Sequence, residues 1–272
     1  MTKKYLLSVL VLLTISISSQ SANLSLHILD CGTILSRQLS LFNPNLPQHL
    51  SKIMANGCYL VVHPNGTLLW DTGIKNSVGA EGIDTYNGAF NFRVTQSLVS
   101  QLDALGFQPS DIDLLAMSHL HGDHAGNANT FSKSQWLVQE AEWQAANSKQ
   151  AERFGFTPED YRELKNPKVI KGDYDVFGDG LVKIISAPGH TPGHQMLLVE
   201  LAKTGPVLLS GDLYHFRQNH IDQGIPVFND AGVTRKTFAK IDQLIERTGA
   251  TLWYQHDFEQ FHLLTYSGSV YQ

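Results

Sequence analysis

The sequence predicts an α/β protein built from two β-sheets packed face to face between outer helices. Three observations carry that prediction. A series of short strand-like segments followed by an amphipathic helical one occurs twice along the chain, as two sheet-and-helix halves would require. The most chemically loaded stretch, Ser118-His119-Leu120-His121-Gly122-Asp123-His124-Ala125-Gly126, directly follows a short apolar segment at 114–117. Ligand-bearing groups collect at such carboxyl ends of strands in α/β sheets. The 272 residues, 42% of them hydrophobic and 17% charged, supply a core for two sheets, and no linker or repeat divides them.

Taken in order, residues 24–31 and 58–63 run apolar or alternate, and 67–70 follow the turn-forming Pro64-Asn65-Gly66. A strand and then a hairpin are expected. Residues 34–56 are long for a loop and carry Leu39, Leu41, Phe42 and Leu46 among prolines. Loops of that size are usually functional or interfacial, which makes this one a candidate lid or homodimer contact. Val94, Leu98, Leu102 and Leu105 recur at helical spacing over 94–105, and Gly106 stops that helix. The strand at 114–117 delivers the histidine cluster, 135–138 reads as a strand, and 140–147 reads as a helix. Residues 149–175 are polar, with scattered Phe154, Phe156 and Tyr161, and Pro158-Glu159-Asp160 resembles a helix start. The segment suits a pocket wall and a surface excursion equally. Strands are expected at 181–186, 195–201 and 207–209. Phe238, Ile241, Leu244 and Ile245 form the apolar face of a helix over 233–247, and 252–254 is the last strand.

The amino terminus carries an address. Lys3 and Lys4 precede an apolar run over 6–17, and small residues follow to Ala22, the layout of a secretory signal. The run falls short of the roughly 20 residues of a membrane span, though an uncleaved anchor is the alternative. A periplasmic or secreted protein is expected, with residues 1–22 as the signal and 23–272 as a single domain. Loss of the two lysines takes the formal net charge from −5 to −7, and basic clusters are missing, which argues against a nucleic-acid partner. Cys31 and Cys58 are the only thiols. In an oxidising compartment they could pair, while their apolar surroundings suit two buried free thiols equally.

His119 and His121 are two apart, so in extended backbone their rings leave on the same side and can converge on one ion. Gly122 permits a sharp turn, after which Asp123 and His124 can face a second ion. Imidazole is the commonest metal ligand, and such close groups would otherwise repel on protonation. Three further places end an apolar strand in a candidate ligand: His190 in Ala187-Pro188-Gly189-His190, Asp212 in Ser210-Gly211-Asp212, and His256 in Tyr254-Gln255-His256-Asp257. Singly each is weak; together they supply what the cluster lacks.

In His119-Leu120-His121-Gly122-Asp123-His124, His190, Asp212, His256 and the earlier Asp71-Thr72-Gly73, the chain resembles the metallo-β-lactamase-fold hydrolases. That resemblance implies a four-layer αβ/βα sandwich. It places one metal on His119, His121 and His190 and the other on Asp123, His124 and His256, with Asp212 bridging. Zinc is the default for so nitrogen-rich a set, and iron, manganese or cobalt suit such mixed sites too. Two divalent ions against two carboxylates leave the site positive, so a bridging water ionises near neutral pH and attacks a carbonyl that the second ion polarises. Hydrolysis of an ester, lactone, amide or thioester follows. Asp123 could carry a proton to the leaving oxygen, while Asp71, Ser118 and Thr191 hold the ligand loops.

Within that family, Gly189-His190-Thr191-Pro192-Gly193-His194-Gln195 and His256-Asp257 are most similar to the N-acyl homoserine lactonases, quorum-quenching enzymes that open the lactone ring of bacterial signals. A small acyl lactone or ester is the substrate this implies. One departure stands out. The lactonases carry a tyrosine three residues after the bridging aspartate; here that position is His215, with Tyr214 one earlier. If the chain stays extended after Asp212, Tyr214 shares its side, whereas a helical turn brings His215 round instead. His215 is the expected donor to the substrate carbonyl, with Tyr214 as the alternative. An exported zinc β-lactamase or another metal-dependent esterase is the competing function. The zinc β-lactamases lack a bridging aspartate like Asp212.

Overall fold

The computed structural model describes residues 24–266 and 270–272, so the expected signal segment lies outside the described residues. The chain opens with two long antiparallel strands, β1 (Ser25–Ser36) and β2 (Lys52–His63). Both are buried on two faces. Leu29, Cys31, Cys58 and Leu60 face an outer core, while Leu26, Ile28, Tyr59 and Val61 face the core between the sheets. Strands buried on both sides lose polar alternation and read as apolar runs.

β3 (Gly66–Trp70) closes the expected hairpin on β2. β4 (Ile83–Thr85), β5 (Phe90–Arg93), β6 (Leu114–Ala116), β7 (Gln135–Gln139) and β8 (Pro167–Ile170) complete a sheet ordered β4-β5-β1-β2-β3-β6-β7-β8. Its β3-β6-β7-β8 part is parallel. β9 (Tyr174–Asp175), β10 (Val182–Ser186), β11 (Gln195–Leu201), β12 (Gly205–Leu209) and β13 (Thr251–Trp253) form a second sheet ordered β13-β12-β11-β10-β9, in which β12 and β13 are parallel. The last strand, β14 (Val270–Tyr271), returns to pair with β1.

Side chains of the two sheets meet in one shared core, in which Trp70 and Leu68 are packed with Leu197, Val199 and Trp253. Helices α1 (Leu98–Ala104), α2 (Gly122–Ala125) and α3 (Glu140–Ala146) belong to the first half, and α1 and α3 cover the outer face of the first sheet through Leu98, Leu102 and Ala145. The second half carries α4 (Arg217–Asp222), α5 (Ala231–Thr248) and α6 (Phe258–Tyr266). Phe238, Ile241 and Leu244 of α5 seal the outer face of the second sheet against Leu198, Leu208 and Leu252. The result is the four-layer αβ/βα sandwich. Asp230 caps α5 by accepting from the Val233 amide at 2.9 Å, and Gly249 at φ +68° ends it.

Several local expectations are corrected. Both ends of 34–56 are strand, because β1 and β2 keep pairing from Thr33↔Ala55 to Ser36↔Lys52 beyond a bulge between Asp30 and Thr33. Only 37–51 connect them, and Leu39 and Phe42 fold back against Ile34, Met54 and Phe90. Val94 joins that cluster rather than α1, which begins after Ser97 because the Ser97 hydroxyl accepts from the Ser100 amide at 3.1 Å. Residues 149–175 hold two 3-10 turns, Ala151–Phe154 and Pro158–Asp160, and then β8 and β9. The choice left open for Cys31 and Cys58 falls to pairing: they form a disulfide across β1 and β2, with Cα atoms 5.8 Å apart.

The α5 seal is testable. Phe238, 2% exposed, stacks on Tyr214 with ring centroids 4.7 Å apart. Phe238→Ala should lower unfolding free energy by about 3–5 kcal/mol, the usual cost of emptying an aromatic core position. Urea denaturation measures it, and a loss under about 1 kcal/mol would mean that the layer is not packed as described.

Candidate metal centre

Five strand ends and one helical turn converge at one edge of the sandwich. β3 delivers Asp71, β6 delivers Ser118, His119 and His121, and α2 turns Asp123 and His124 inward. The loop between β10 and β11 brings His190 and His194, the turn after β12 brings Asp212, and the end of β13 brings His256. Gly211 at φ +48° makes that turn, and a Cβ there would lie 2.6 Å from His194 Nε2.

Two groups of inward-facing atoms result. His119 Nε2, His121 Nδ1 and His190 Nε2 lie 2.9–3.0 Å from one another. Asp212 Oδ2 completes that group, 3.3 Å from His190 Nε2 and 3.8 Å from His119 Nε2. In the second group, Asp123 Oδ2 stands 3.7 Å from His124 Nε2 and 3.6 Å from His256 Nε2. Asp212 turns its other oxygen there, with Oδ1 3.3 Å from His124 Nε2 and 3.1 Å from His256 Nε2. One carboxylate thus offers an oxygen to each group, and ligand atoms within both sets lie inside 4.8 Å.

The outward nitrogens decide what the inward ones can do. His256 Nδ1 donates to the Ala55 carbonyl at 2.7 Å, and His121 Nε2 donates to the Phe154 carbonyl at 2.8 Å. His190 Nδ1 lies 2.9 Å from Asn229 Oδ1, and His124 Nδ1 lies 3.1 Å from Asp71 Oδ2. Ser118 Oγ, which donates to Asp71 Oδ2, faces His119 Nδ1 at 3.1 Å. With an acceptor behind each ring, every inward nitrogen presents a lone pair.

Electrostatics point the same way. Burial drives His119 and His190 well below the ordinary imidazole value, and the adjoining rings add to the effect. Burial opposes ionisation of Asp212, yet His215, His256 and His124 hold its carboxyl well below the ordinary range. Burial likewise opposes charge on His124 and His256, but Asp212 and Asp123 raise both, so this half of the site attracts positive charge. His124 Nε2 and Asp212 Oδ1 are buried without a hydrogen-bond partner. Five nitrogens and two carboxylates with unmet demand for a cation fit a pair of first-row transition ions.

A cavity of about 700 Å³ opens over these groups, with Asp123, Asp212, His215 and His256 at its base and Ile34, Met54, Phe90 and Phe92 on its walls. The Gly211–Leu213 helical turn brings His215 back to the side of Asp212. Its ring lies 4.8 Å from Phe42, and both ring nitrogens lack a hydrogen-bond partner, although Nε2 is 3.1 Å from Asp212 Oδ2. Tyr214 instead points into the outer core beside Phe238 and does not line the cavity, which removes it as a substrate donor. Glu152, Arg153 and Phe154 do line it, so part of 149–175 is a pocket wall. The sequence reading missed Glu142, Asn229 and the support role of His194, none of which carries a local pattern. His194 Nδ1 donates to the Ala187 carbonyl at 2.9 Å, and its Nε2 accepts from the Asp212 amide at 2.9 Å.

Residues 55–254 match the metallo-beta-lactamase superfamily. An N-acyl homoserine lactonase from a Bacillus species is 32% identical over 212 residues, covering 75% of this chain and 81% of the relative. The N-acyl homoserine lactonase AttM of Azorhizobium caulinodans is 30% identical over 220 residues, covering 73% and 80%. A solved structure of a Bacillus thuringiensis AiiA variant with N-decanoyl-L-homoserine at its active site superposes with a TM-score of 0.78 at 27% identity, covering 88% of this chain and 95% of that one.

Acid should destabilise the metal-free protein through these buried rings. Burial lowers His194 to about 4 from an ordinary 6.5, against the pull of Asp212. Its folded value lies below its unfolded one, so the stability tied to the neutral ring is complete above about pH 6.5 and is lost as pH falls toward 4, by up to about 3 kcal/mol. Urea midpoints between pH 7.5 and 5 should fall, and fall less steeply in His194→Asn. Equal slopes would show that His194 is not held neutral by the fold.

Proposed function

The chain belongs to the metallo-beta-lactamase superfamily, and from that premise we propose that it is a dinuclear metal-dependent lactonase that opens the ring of N-acyl homoserine lactones. The observation that carries the proposal is Asp212, with one oxygen toward each group of imidazoles. Such a shared carboxylate suits the lactonases and not the zinc β-lactamases. On this reading His119, His121 and His190 would hold one ion and Asp123, His124 and His256 the other, with Asp212 shared between them. Zinc is the assigned metal, because sets of imidazole nitrogens joined by carboxylate oxygens favour it. When bound, the two ions would supply an ionised water and polarise the scissile carbonyl.

The chain's own residues do the rest. Asp123, whose side chain keeps 16% exposure at the cavity base, is the group placed to pass a proton to the leaving alkoxide. His215 is kept neutral by burial, against Asp212, and a neutral imidazole donates one hydrogen bond to a substrate carbonyl. Ile34, Met54, Phe90 and Phe92 give an acyl tail an apolar wall. The protein acts outside the cytosol: the Lys3-to-Ala22 layout and the Cys31–Cys58 disulfide both suit an oxidising, exported setting.

Purified protein should carry two zinc-class ions per chain by metal analysis and lose activity on chelation. It should open N-acyl homoserine lactones, read by mass as addition of water that reverses on acidification, faster than it cleaves a chromogenic cephalosporin. Cephalosporin turnover without lactone opening would overturn the assignment.

The donor role separates two neighbours. His215→Ala should reduce kcat about 10²-fold, as expected for loss of one transition-state donor, whereas Tyr214→Phe should stay near wild type. Near-normal turnover in His215→Ala would end the case for that residue.

A further inference from the structure

One buried carboxylate outside the proposed ligand set reaches every chain segment that carries a group of the first triad. Glu142, on α3, is 2% exposed. Its Oε1 accepts from the Leu120 amide at 3.1 Å and from Thr191 Oγ1 at 2.9 Å; its Oε2 accepts from Thr191 Oγ1 at 2.9 Å and from the Gly193 amide at 2.8 Å. Leu120 lies between His119 and His121, and Thr191 follows His190. Gly193 precedes His194, which accepts from the Asp212 amide. His119, His121 and His190, the three groups that belong to the first site alone, therefore each stand one residue from a donor to the same carboxylate.

The contact is closely fitted. A Cβ at Gly193 would lie 2.3 Å from the Glu142 amide nitrogen, so glycine is what lets the His190–His194 loop reach α3. Burying a carboxylate is costly unless fixed donors meet it; burial pushes Glu142 up to about 7 even against its donors at Gly193, Thr191 and Leu120. The second triad is framed differently, by Asp71, by the Ala55 carbonyl, and by Asn56, which donates to the Asp123 carbonyl at 2.7 Å.

We propose that Glu142 is the positioning residue of the first metal site, fixing the His119–His121 loop against the His190–His194 loop so that affinity for that ion, and not for the second, depends on it. The inference rests on the dinuclear reading above. A glutamine here would turn its NH2 toward an amide donor, so Glu142→Gln breaks the arrangement while keeping the shape.

Zinc affinity and stoichiometry, read by competition with a chromophoric chelator, test it in wild type, Glu142→Gln, Glu142→Ala and Thr191→Val. The expected result is a 10- to 100-fold weaker first ion in both Glu142 variants, a smaller loss in Thr191→Val, and an unchanged second ion. In a His256→Ala background, the chain that keeps Glu142 should hold one ion, and the chain that also carries Glu142→Gln should hold none at the same chelator concentration. Two tightly held ions in wild type and in all variants, with only the urea midpoint lowered, would overturn the role of Glu142 alone. Thr191→Val keeps the test open if the Glu142 variants do not fold, since wild-type affinity in it would also overturn the inference. Fewer than two ions in wild type would instead count against the dinuclear reading.

Discussion

Four buried imidazoles, the half-buried His121 and two carboxylates facing one another within a few ångströms form an arrangement that no ordinary core tolerates. The rings cannot all protonate, because burial and mutual repulsion depress His119 and His190, and they cannot hydrogen-bond to one another, because each presents a lone pair there. Asp212, held ionised among them, supplies one negative charge to a space that calls for more positive charge than protons can provide. Much of the surrounding architecture follows from keeping these groups convergent. Parallel strand pairs aim their carboxyl ends at one edge, and two sheets rather than one are needed because the ligands come from both.

The supports divide into two frames. On one side β2 offers the Ala55 carbonyl and Asn56 to His256 and Asp123, and the Cys31–Cys58 disulfide ties β2 to β1 a few residues away. On the other, α3 reaches through Glu142 to two loops at once. Neither frame touches the reacting centre, yet each fixes groups that do, and rigidity at the site is inherited from strands and helices rather than from the loops that carry the ligands.

Legibility in the sequence follows chain distance. His119, His121, Asp123 and His124 announce themselves because local backbone geometry alone brings them together. His190, Asp212 and His256 come from the second sheet, far along the chain; each ends an apolar strand, which marks it only weakly, and the resemblance to a family assigned them to particular ions. Glu142 carries no signal at all: a glutamate two residues after Glu140 in the first turn of a short helix reads as solvent-facing, and its burial depends on a loop that folds back from 51 residues later. The same limit hid β4 and β5, short strands at a sheet edge where Ile83 is 48% exposed and polar residues alternate poorly. Residues 34–36 and 52–56 concealed their strand character because a bulge between Asp30 and Thr33 broke the pattern on one side and Asn43-Pro44-Asn45-Leu46-Pro47 filled the segment between them.

The carbonyl of Phe154 ends a turn that also lines the cavity, and it accepts from His121. Gly155 beside it has room for nothing larger, since a Cβ there would lie 2.8 Å from His121 Nε2. The wall that a substrate would meet is therefore physically continuous with a ring that faces the ions. A change in the 151–156 turn would therefore reach what the cavity accepts and how firmly His121 is held at once, whereas Ile34 and Phe92 line the cavity without bonding any of the proposed ligands.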